Sequence, residues 1–319
     1  MTLQGQVFRV EATQVGQTLA ALLRHWLPRR SWTQVRRLVA SRRVLVDGNV
    51  CADPARRLRP QQIVHLLPQA APRRPATDAV RIVYADSDVV VVDKPAGITT
   101  LRLPVRSDQA RSAKRARQPT LDELVPRLLE RQGASGGRVR AVHRLDRDTS
   151  GLIVFARSAQ AERILGQQFR QHAIHRRYLA IVPGDVPAQT FDTYLVRDRG
   201  DGRRGSSQVP GVGKRAVTHV RPLEKLPGYT VLECRLETGR THQIRIHLAE
   251  AGHPICGEKV YRKPLAGPVV PDRSGAPRLA LHAAELGFTH PRTGQYLHFE
   301  SPWPEDLKRF LRRLRRARG

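Results

Sequence analysis

Short apolar runs rich in β-branched residues dominate the chain from residue 81 onward, and they restrict its fold most strongly. RIVYADSDVVVVDK contains two such runs, broken by Asp86-Ser87-Asp88, and further runs follow as GLIVFARS, RYLAIVPG, AVTHVRPLE, YTVLECRLE and LALHAAELGFTH. Helical spacing interrupts them in LDELVPRLLERQ, AERILGQQFRQH and THQIRIHLAEAG. This pattern predicts an α+β domain with a mixed, mostly antiparallel sheet over 80–305, followed by a basic helical tail over 306–319.

The first 68 residues follow a different pattern. GQTLAALLRHWL has the apolar spacing of a helix with one buried stripe, and Ser31 is a suitable N-cap for a second helix, WTQVRRLVAS. In VLVDGNVC, the Asp47-Gly48 pair between apolar residues predicts a hairpin turn. A small N-terminal α/β domain over 13–68 is therefore predicted. The Pro- and Ala-rich stretch 69–79 is predicted to be the linker that follows it.

The charge of the chain indicates a polyanionic partner. It has 56 lysines and arginines against 28 acidic residues, a net charge of +28, and an excess of this size is typical of proteins that bind nucleic acid. The segment 101–118 is basic without a hydrophobic pattern and is predicted to be a mobile surface loop. In the small domain, the candidate RNA-binding residues cluster around the second helix: Arg29, Arg30, Arg36, Arg37, Arg42 and Arg43.

Metal, disulfide and membrane signals are weak. The three cysteines are widely scattered, and His242, His247 and His253 do not have the spacing of a helical zinc pair. We therefore expect no metal and no disulfide framework. No apolar run approaches the roughly 18 residues of a membrane span, and the N-terminus lacks the pattern of a secretory leader. A cytoplasmic protein without a membrane partner is expected.

The stretch HRLDRDTSGLIVFARS, 143–158, places charged residues directly before a buried strand. Asp148 begins an Asp-Thr-Ser-Gly run with the chemistry of a turn, whereas Asp146 has no such local role. A carboxylate flanked by arginines remains ionised and is suited to act as a nucleophile. From these residues alone, Asp146 is either a catalytic carboxylate or part of a solvated turn.

The string HRLDRDTSGL resembles the signature of the RluA-type pseudouridine synthases. Similar blocks follow in the order expected of that family: VVVDKPAG, HRRYLAIVPG, GKRAVTHVRPLE, LETGRTHQIRIHLAEAGHPICGEKVY and RLALHAAELGFTHPRTG. Residues 13–68 resemble the S-four-type RNA-binding domain. Together these resemblances imply the pseudouridine synthase catalytic fold behind a small RNA-binding domain.

The resemblance implies an enzyme that isomerises uridine in RNA without cofactor or metal. Asp146 matches the nucleophile, which attacks either C1′ of the ribose or C6 of the base. Tyr178 matches a tyrosine that lies against the target base, and Arg245 matches the arginine that pairs with the nucleophile. Arg144 matches an arginine that fills the gap left by the flipped nucleotide, although a simple phosphate contact is the alternative.

The two-domain arrangement is typical of family members that modify large-subunit (23S) ribosomal RNA, alone or in a pre-ribosomal particle. A transfer RNA substrate is the alternative, and a catalytically inactive RNA-binding or ribosome-assembly protein is a second one. A glycosidase that uses Asp146 and Asp148 is disfavoured, because both carboxylates have arginine neighbours. The chain is expected to be a monomer. It lacks the His-Pro run that commonly follows KPAG in the family, which leaves the choice of target uridine open.

Overall fold

The computed structural model describes residues 6–68, 70, 79–101, 119–134, 137–207 and 209–316. They form two compact units, one on each side of residues 71–78. The predicted linker 69–79 and the predicted mobile loop 101–118 lie almost entirely outside the described residues. The exact domain bounds therefore stay a prediction.

The N-terminal unit packs two helices with a four-stranded antiparallel sheet. Helix α1 (Leu19–Trp26) and helix α2 (Trp32–Ala40) confirm the two predicted helices. Ser31 caps α2, because its hydroxyl accepts from the Gln34 N–H at 3.2 Å and the Gln34 side chain accepts from the Ser31 N–H at 2.9 Å. The strands are β1 (Gln6–Arg9), β2 (Val44–Val46), β3 (Asn49–Val50) and β4 (Ile63–Leu66), in the sheet order β1-β4-β2-β3.

The predicted hairpin turn joins β2 to β3. Asp47 and Gly48 both have positive φ, 49° and 75°, as a tight turn between twisted strands requires. The strands β1 and β4 were not predicted, yet they pair with each other and β4 pairs with β2. The unit therefore has more sheet than two helices and a hairpin would supply.

The second unit is built on an eleven-stranded sheet. Its main path runs β11-β10-β12-β13-β9-β14-β8-β6-β5, with β15 paired to β14 and β7 paired to β8. The pair β8–β14 is parallel and the other pairs are antiparallel, which confirms the predicted α+β class with a mostly antiparallel sheet. The strands are β5 (Arg81–Ala85), β6 (Val89–Lys94), β7 (Arg140–Ala141), β8 (Ser150–Ala156), β9 (His175–Pro183), β10 (Gln189–Val196), β11 (Gly205–Ser206), β12 (Lys214–Leu226), β13 (Tyr229–Leu236), β14 (Leu281–Thr289) and β15 (Tyr296–Glu300).

Within the residues that the structure describes, four helices accompany this sheet, and all four lie in segments predicted to be helical. They are α3 (Leu121–Arg131), α4 (Ala159–Arg170), α5 (Gln243–Glu250) and α6 (Glu305–Arg316). Helix α6 buries Leu307, Phe310, Leu311 and Leu314 against the core. Within the described ranges, no helix is both long and apolar enough to cross a membrane.

Strand β8 holds the loop that precedes it in place. All seven of its residues are buried, which explains why it reads as a continuous apolar run. Its second residue, Gly151, has φ +114°, and a Cβ there would lie 2.1 Å from the backbone oxygen of Ala283 on β14. Only glycine permits this close approach of β8 to β14. The residues just before β8, which include Asp146, are thereby held against the centre of the sheet.

Candidate active site

The loop before β8 is fixed by hydrogen bonds to the segment that follows β6. The Thr100 hydroxyl donates to the Leu145 carbonyl at 2.7 Å, and the Leu145 N–H donates to Thr100 Oγ1 at 3.2 Å. The Thr149 N–H donates to the Asp146 carbonyl at 3.2 Å, so the turn spans 146–149, two residues earlier than predicted, and Ser150 and Gly151 already belong to β8. Asp148 is exposed in this turn, whereas the Asp146 side chain keeps 14% of its surface accessible. The two carboxylates therefore have different environments.

Lys94 supports this loop from below. Its side chain is fully buried, and Nζ donates to the carbonyls of Pro95, Ile98 and Arg147 at 3.0–3.1 Å. Burial lowers the pKa of Lys94 to about 7, against the opposing charges of Asp148 and Asp146. Lys94 therefore holds the residue next to Asp146 in place.

Arg245 extends from α5 toward Asp146, as the resemblance implied. Its Nη1 lies 3.5 Å from Asp146 Oδ2. Asp146 is not its closest partner, however, because Nε and Nη2 of Arg245 each donate to a Glu258 oxygen at 2.7 Å. Arg245 is therefore clamped by Glu258 and presents its remaining nitrogen to Asp146.

Glu258 was not predicted from the sequence to be part of the site. Only 1% of its side chain is exposed, and its Oε1 also accepts from the backbone N–H groups of Lys259, Val260 and Tyr261. Burial alone would raise the pKa of Glu258, but the hydrogen bonds and charge of Arg245 outweigh it and the pKa lies below the usual range. The sequence feature that could have revealed Glu258 is that it is the lone acidic residue in PICGEKVY.

His242 approaches Asp146 from the other side. It precedes α5 with φ 61°, its Nδ1 lies 2.7 Å from the Tyr261 hydroxyl, and its Nε2 lies 3.7 Å from Asp146 Oδ1. Burial lowers the pKa of His242, although Asp146 opposes the shift. The sequence indicated only that His242 is a poor zinc ligand.

A cavity of about 460 Å³ opens over these residues. It is lined by the predicted Arg144, Asp146, Tyr178 and Arg245, so the structure brings together the four candidates of the larger domain. Tyr178 on β9 is buried in the cavity wall, and this burial raises the pKa of its hydroxyl. Arg144 is exposed at the edge of the cavity.

Arg176, two residues before Tyr178, shares this cavity and was not predicted. It is 8% exposed, and its guanidinium lies 5.5 Å from the centre of the Phe169 ring. Within the described part of the chain, its Nε has no hydrogen-bond partner. Burial lowers the pKa of Arg176 from its ordinary value. A guanidinium in the lining of a cavity is suited to bind an anion or a carbonyl oxygen.

His143 makes the stability of this region sensitive to pH. Its ring stacks on Phe169, and its Nε2 accepts from the Val154 N–H at 3.2 Å, which requires a neutral imidazole. Burial, followed by the charge of Arg176, lowers the pKa of His143 to about 3. In the unfolded state the imidazole takes up a proton near pH 6.5, whereas in the folded state it does so only near pH 3. Stability therefore falls as the pH decreases through this window.

We expect the free energy of unfolding to fall by about 1–2 kcal/mol through His143 between pH 7 and pH 5. Urea unfolding of wild type and His143→Gln at both pH values measures this contribution. Glutamine offers an acceptor that does not titrate, so the variant should lose less stability than wild type over the same interval. An equal loss in both proteins would contradict the assignment to His143.

The predicted RNA-binding arginines of the N-terminal unit differ in their roles. Arg29, Arg36 and Arg37 are exposed, and Arg30 and Arg42 are half-buried. Arg43 donates to the carbonyls of Leu67 and Pro68 at 3.1 and 2.8 Å, which gives it a structural role in this unit. Trp32, at the start of α2, is 50% exposed and was not predicted to be at the surface. An aromatic ring among exposed arginines is a combination that stacks on nucleic-acid bases.

The cavity thus places a carboxylate among cations in a chain with a net charge of +28, as expected of an enzyme that acts on nucleic acid. The family model for RNA pseudouridylate synthase matches residues 88–250, and the model for the S4 domain matches residues 17–64. The chain is 34% identical to "Ribosomal large subunit pseudouridine synthase D" of Zymomonas mobilis over 94% of each chain. It is 36% identical to the protein of the same name from Xanthomonas campestris, over 96% of this chain and 91% of that one.

A solved structure has the same fold. "Human RNA Pseudouridylate Synthase Domain Containing 4" superposes with a TM-score of 0.56 at 23% identity and covers 73% of this chain and 92% of its own. The chain belongs to the RNA pseudouridylate synthase family. It is an isomerase that converts uridine to pseudouridine in RNA, as the resemblance implied.

Proposed function

We propose that this enzyme modifies uridines in large-subunit ribosomal RNA. Relatives that align over nearly their whole length carry that substrate in their names. The S4 match and the net charge of +28 favour a large structured RNA. The proposed domains are 13–68 for RNA binding, 69–79 as linker, 80–305 for catalysis and 306–319 as a basic tail. We propose a monomer in the cytoplasm, where ribosomal RNA is found, whose reaction needs neither cofactor nor metal.

The observation that carries the proposal is the position of Asp146. Its carboxylate lies in the cavity with a cation 3.5 Å away, on a loop fixed by Thr100 and Lys94. A carboxylate inside a cavity cannot reach a base that is stacked in an RNA helix, so the target uridine must leave the stack. The carboxylate then forms a bond to C1′ or C6, and the N-glycosidic bond breaks. After the uracil rotates, C5 bonds to C1′, the bond to Asp146 breaks to return the carboxylate, and N1 takes up a proton. The C5 proton must leave, and Tyr178 is placed to assist its transfer.

The cations around the cavity divide between substrate and nucleophile. Arg245 is occupied by Glu258 and Asp146, so it positions the nucleophile. Arg176 lines the cavity, and we assign its guanidinium to a uracil carbonyl or a backbone phosphate of the flipped nucleotide. Arg144 at the edge is suited to fill the gap in the RNA stack or to contact a phosphate.

Substrate class is tested with unmodified transcripts. The protein is incubated with C5-tritiated large-subunit ribosomal RNA, the corresponding pre-ribosomal particle, small-subunit ribosomal RNA and transfer RNA, and tritium release is measured. Carbodiimide-dependent stops of reverse transcription then locate the pseudouridine. Release from large-subunit RNA or its particle supports the proposal. Release from transfer RNA alone supports the alternative substrate, and release from none, with RNA binding intact, supports an inactive binding protein.

The exposed arginines of α2 should control affinity for RNA. Each lost phosphate contact makes the slope of log affinity against log salt shallower by about 0.7–0.9, so Arg36→Ala with Arg37→Ala should change it by about 1.5. Filter binding across a salt series measures this slope. The matched control is Arg9→Ala with Arg57→Ala, two exposed arginines outside the cluster. Equal slopes for the two double variants would remove α2 from the interface.

A further inference from the structure

Two imidazoles and a carboxylate lie close together in the larger unit, and none of them lines the cavity. His175 on β9, Glu285 on β14 and His298 on β15 each offer one ligand atom, and these atoms lie within 4.8 Å of one another. Alternate residues of a strand point to opposite faces. His175 therefore lies on the other face of β9 from Arg176 and Tyr178, which line the cavity. This cluster is independent of the active site.

A glycine makes room for the convergence. Gly287 pairs with His175 on one side and with His298 on the other, so it lies between the two histidines in the sheet. A Cβ at Gly287 would lie 3.2 Å from the Cβ of His175 and 2.2 Å from the hydroxyl of Tyr296. The Tyr296 phenol therefore takes the space that a side chain at Gly287 would need.

The distances suit a tetrahedral metal ion. Zinc binds imidazole nitrogen and carboxylate oxygen at about 2.0–2.2 Å, which separates adjacent ligand atoms by about 3.3–3.5 Å. Glu285 Oε2 lies 2.9 Å from His175 Nε2 and 3.7 Å from His298 Nε2, so the two separations bracket that value. Shifts of a few tenths of an ångström would bring both separations to that value, and the third, between the two imidazole nitrogens, is at most 4.8 Å. Binding would release the proton shared by His175 and Glu285.

Arg177 orients the carboxylate. Its Nη1 donates to Glu285 Oε1 at 2.6 Å, which leaves Oε2 directed at the histidines. A hydrogen bond from an outer group to the second oxygen is a usual feature of carboxylate ligands. The other acidic group with a histidine, Asp86, Asp88 and His290, differs in this respect, because the Arg292 guanidinium spans both oxygens of Asp88. An arginine already takes the place that a metal ion would need there.

We propose that His175, Glu285 and His298 bind one divalent transition-metal ion of the zinc class, with water in the remaining position. Imidazole with a carboxylate is a ligand set that suits zinc rather than magnesium or calcium. The ion would link three strands, two of which also carry cavity residues, Tyr178 on β9 and Leu281 on β14. Such a site would revise the expectation that the chain binds no metal. The three residues do not line the cavity that holds Asp146.

The test uses tag-free full-length protein freed of metal with a chelator. Zinc is titrated in competition with a chromophoric chelator, and cobalt(II) absorption reports imidazole coordination. We expect one equivalent of zinc, and at least about 10-fold weaker binding in His298→Ala, since even outer groups of metal sites cost 10–100-fold. His298 is on the surface, and His175→Ala and Glu285→Gln provide second and third variants should one fail to fold.

The matched control is His219→Ala. His219 also pairs with a glutamate, Glu237 at 2.8 Å, but the described residues offer no second histidine there for a metal site. Zinc binding should be unchanged in this variant, and zinc should raise the Tm of wild type and of His219→Ala but not of His298→Ala. Undetectable binding by wild type, or equal affinity in the cluster variants and the control, would overturn the proposal and leave these residues as an ion-pair network.

Discussion

Asp146→Asn should form pseudouridine at least about 10⁴-fold more slowly than wild type, as expected when a covalent nucleophile is removed. Asparagine keeps the size of the side chain but cannot attack carbon as an anion. The loop should stay in place, because Leu145 and Arg147 are held through their backbones by Thr100 and Lys94. Tritium release from C5-labelled RNA under single-turnover conditions measures the chemical step without product release.

Asp148→Asn is the matched control for this experiment. Asp148 is two residues away in the same turn and exposed to solvent, so its replacement should change the rate by less than about 10-fold. Filter binding must show that Asp146→Asn still binds RNA, so that loss of affinity is not mistaken for loss of chemistry. Comparable rates for wild type and Asp146→Asn would exclude Asp146 as the nucleophile.

Local patterns were sufficient for the elements that bury a continuous apolar surface. Strand β8 is buried on both faces and reads as GLIVFA, and the α2 helix shows its buried stripe at Val35, Leu38 and Val39. Strands β10 and β15 were missed because exposed and half-buried positions alternate along them, and their polar residues hide the signal. The proposed metal cluster depends on β15, so it could not have been recognised from the sequence.

Candidate site residues were predictable where the motif itself carries the chemistry. Asp146 stands in a dense charged motif, and Tyr178 and Arg245 stand in blocks that resemble the family. The supports of the site were not predictable, because they are contacts across the chain. Lys94 holds the carbonyl of a residue 53 positions away, and Thr100 holds Leu145 across 45 positions. Such pairs depend on the order of the strands in the sheet, and no local stretch of sequence specifies that order.

Arg245→Met should lower both stability and activity. It would leave Glu258 as a buried carboxylate without its cation, and breaking such a pair costs about 3–5 kcal/mol. We expect about 3 kcal/mol, near the low end, because three backbone N–H groups still donate to Glu258. Activity should fall by about 10²–10³-fold, the usual cost of one lost charge-stabilising donor.

A double variant separates the two effects. In Arg245→Met with Glu258→Gln, the amide oxygen can accept the same backbone N–H groups and no charge remains buried, so at least about 2 kcal/mol of stability should return. Activity should not return, because Asp146 still lacks the guanidinium that lies 3.5 Å from it in wild type. Urea unfolding and tritium release on the same preparations give both quantities. If activity recovers together with stability, Arg245 supports the fold and has no direct part in positioning the nucleophile.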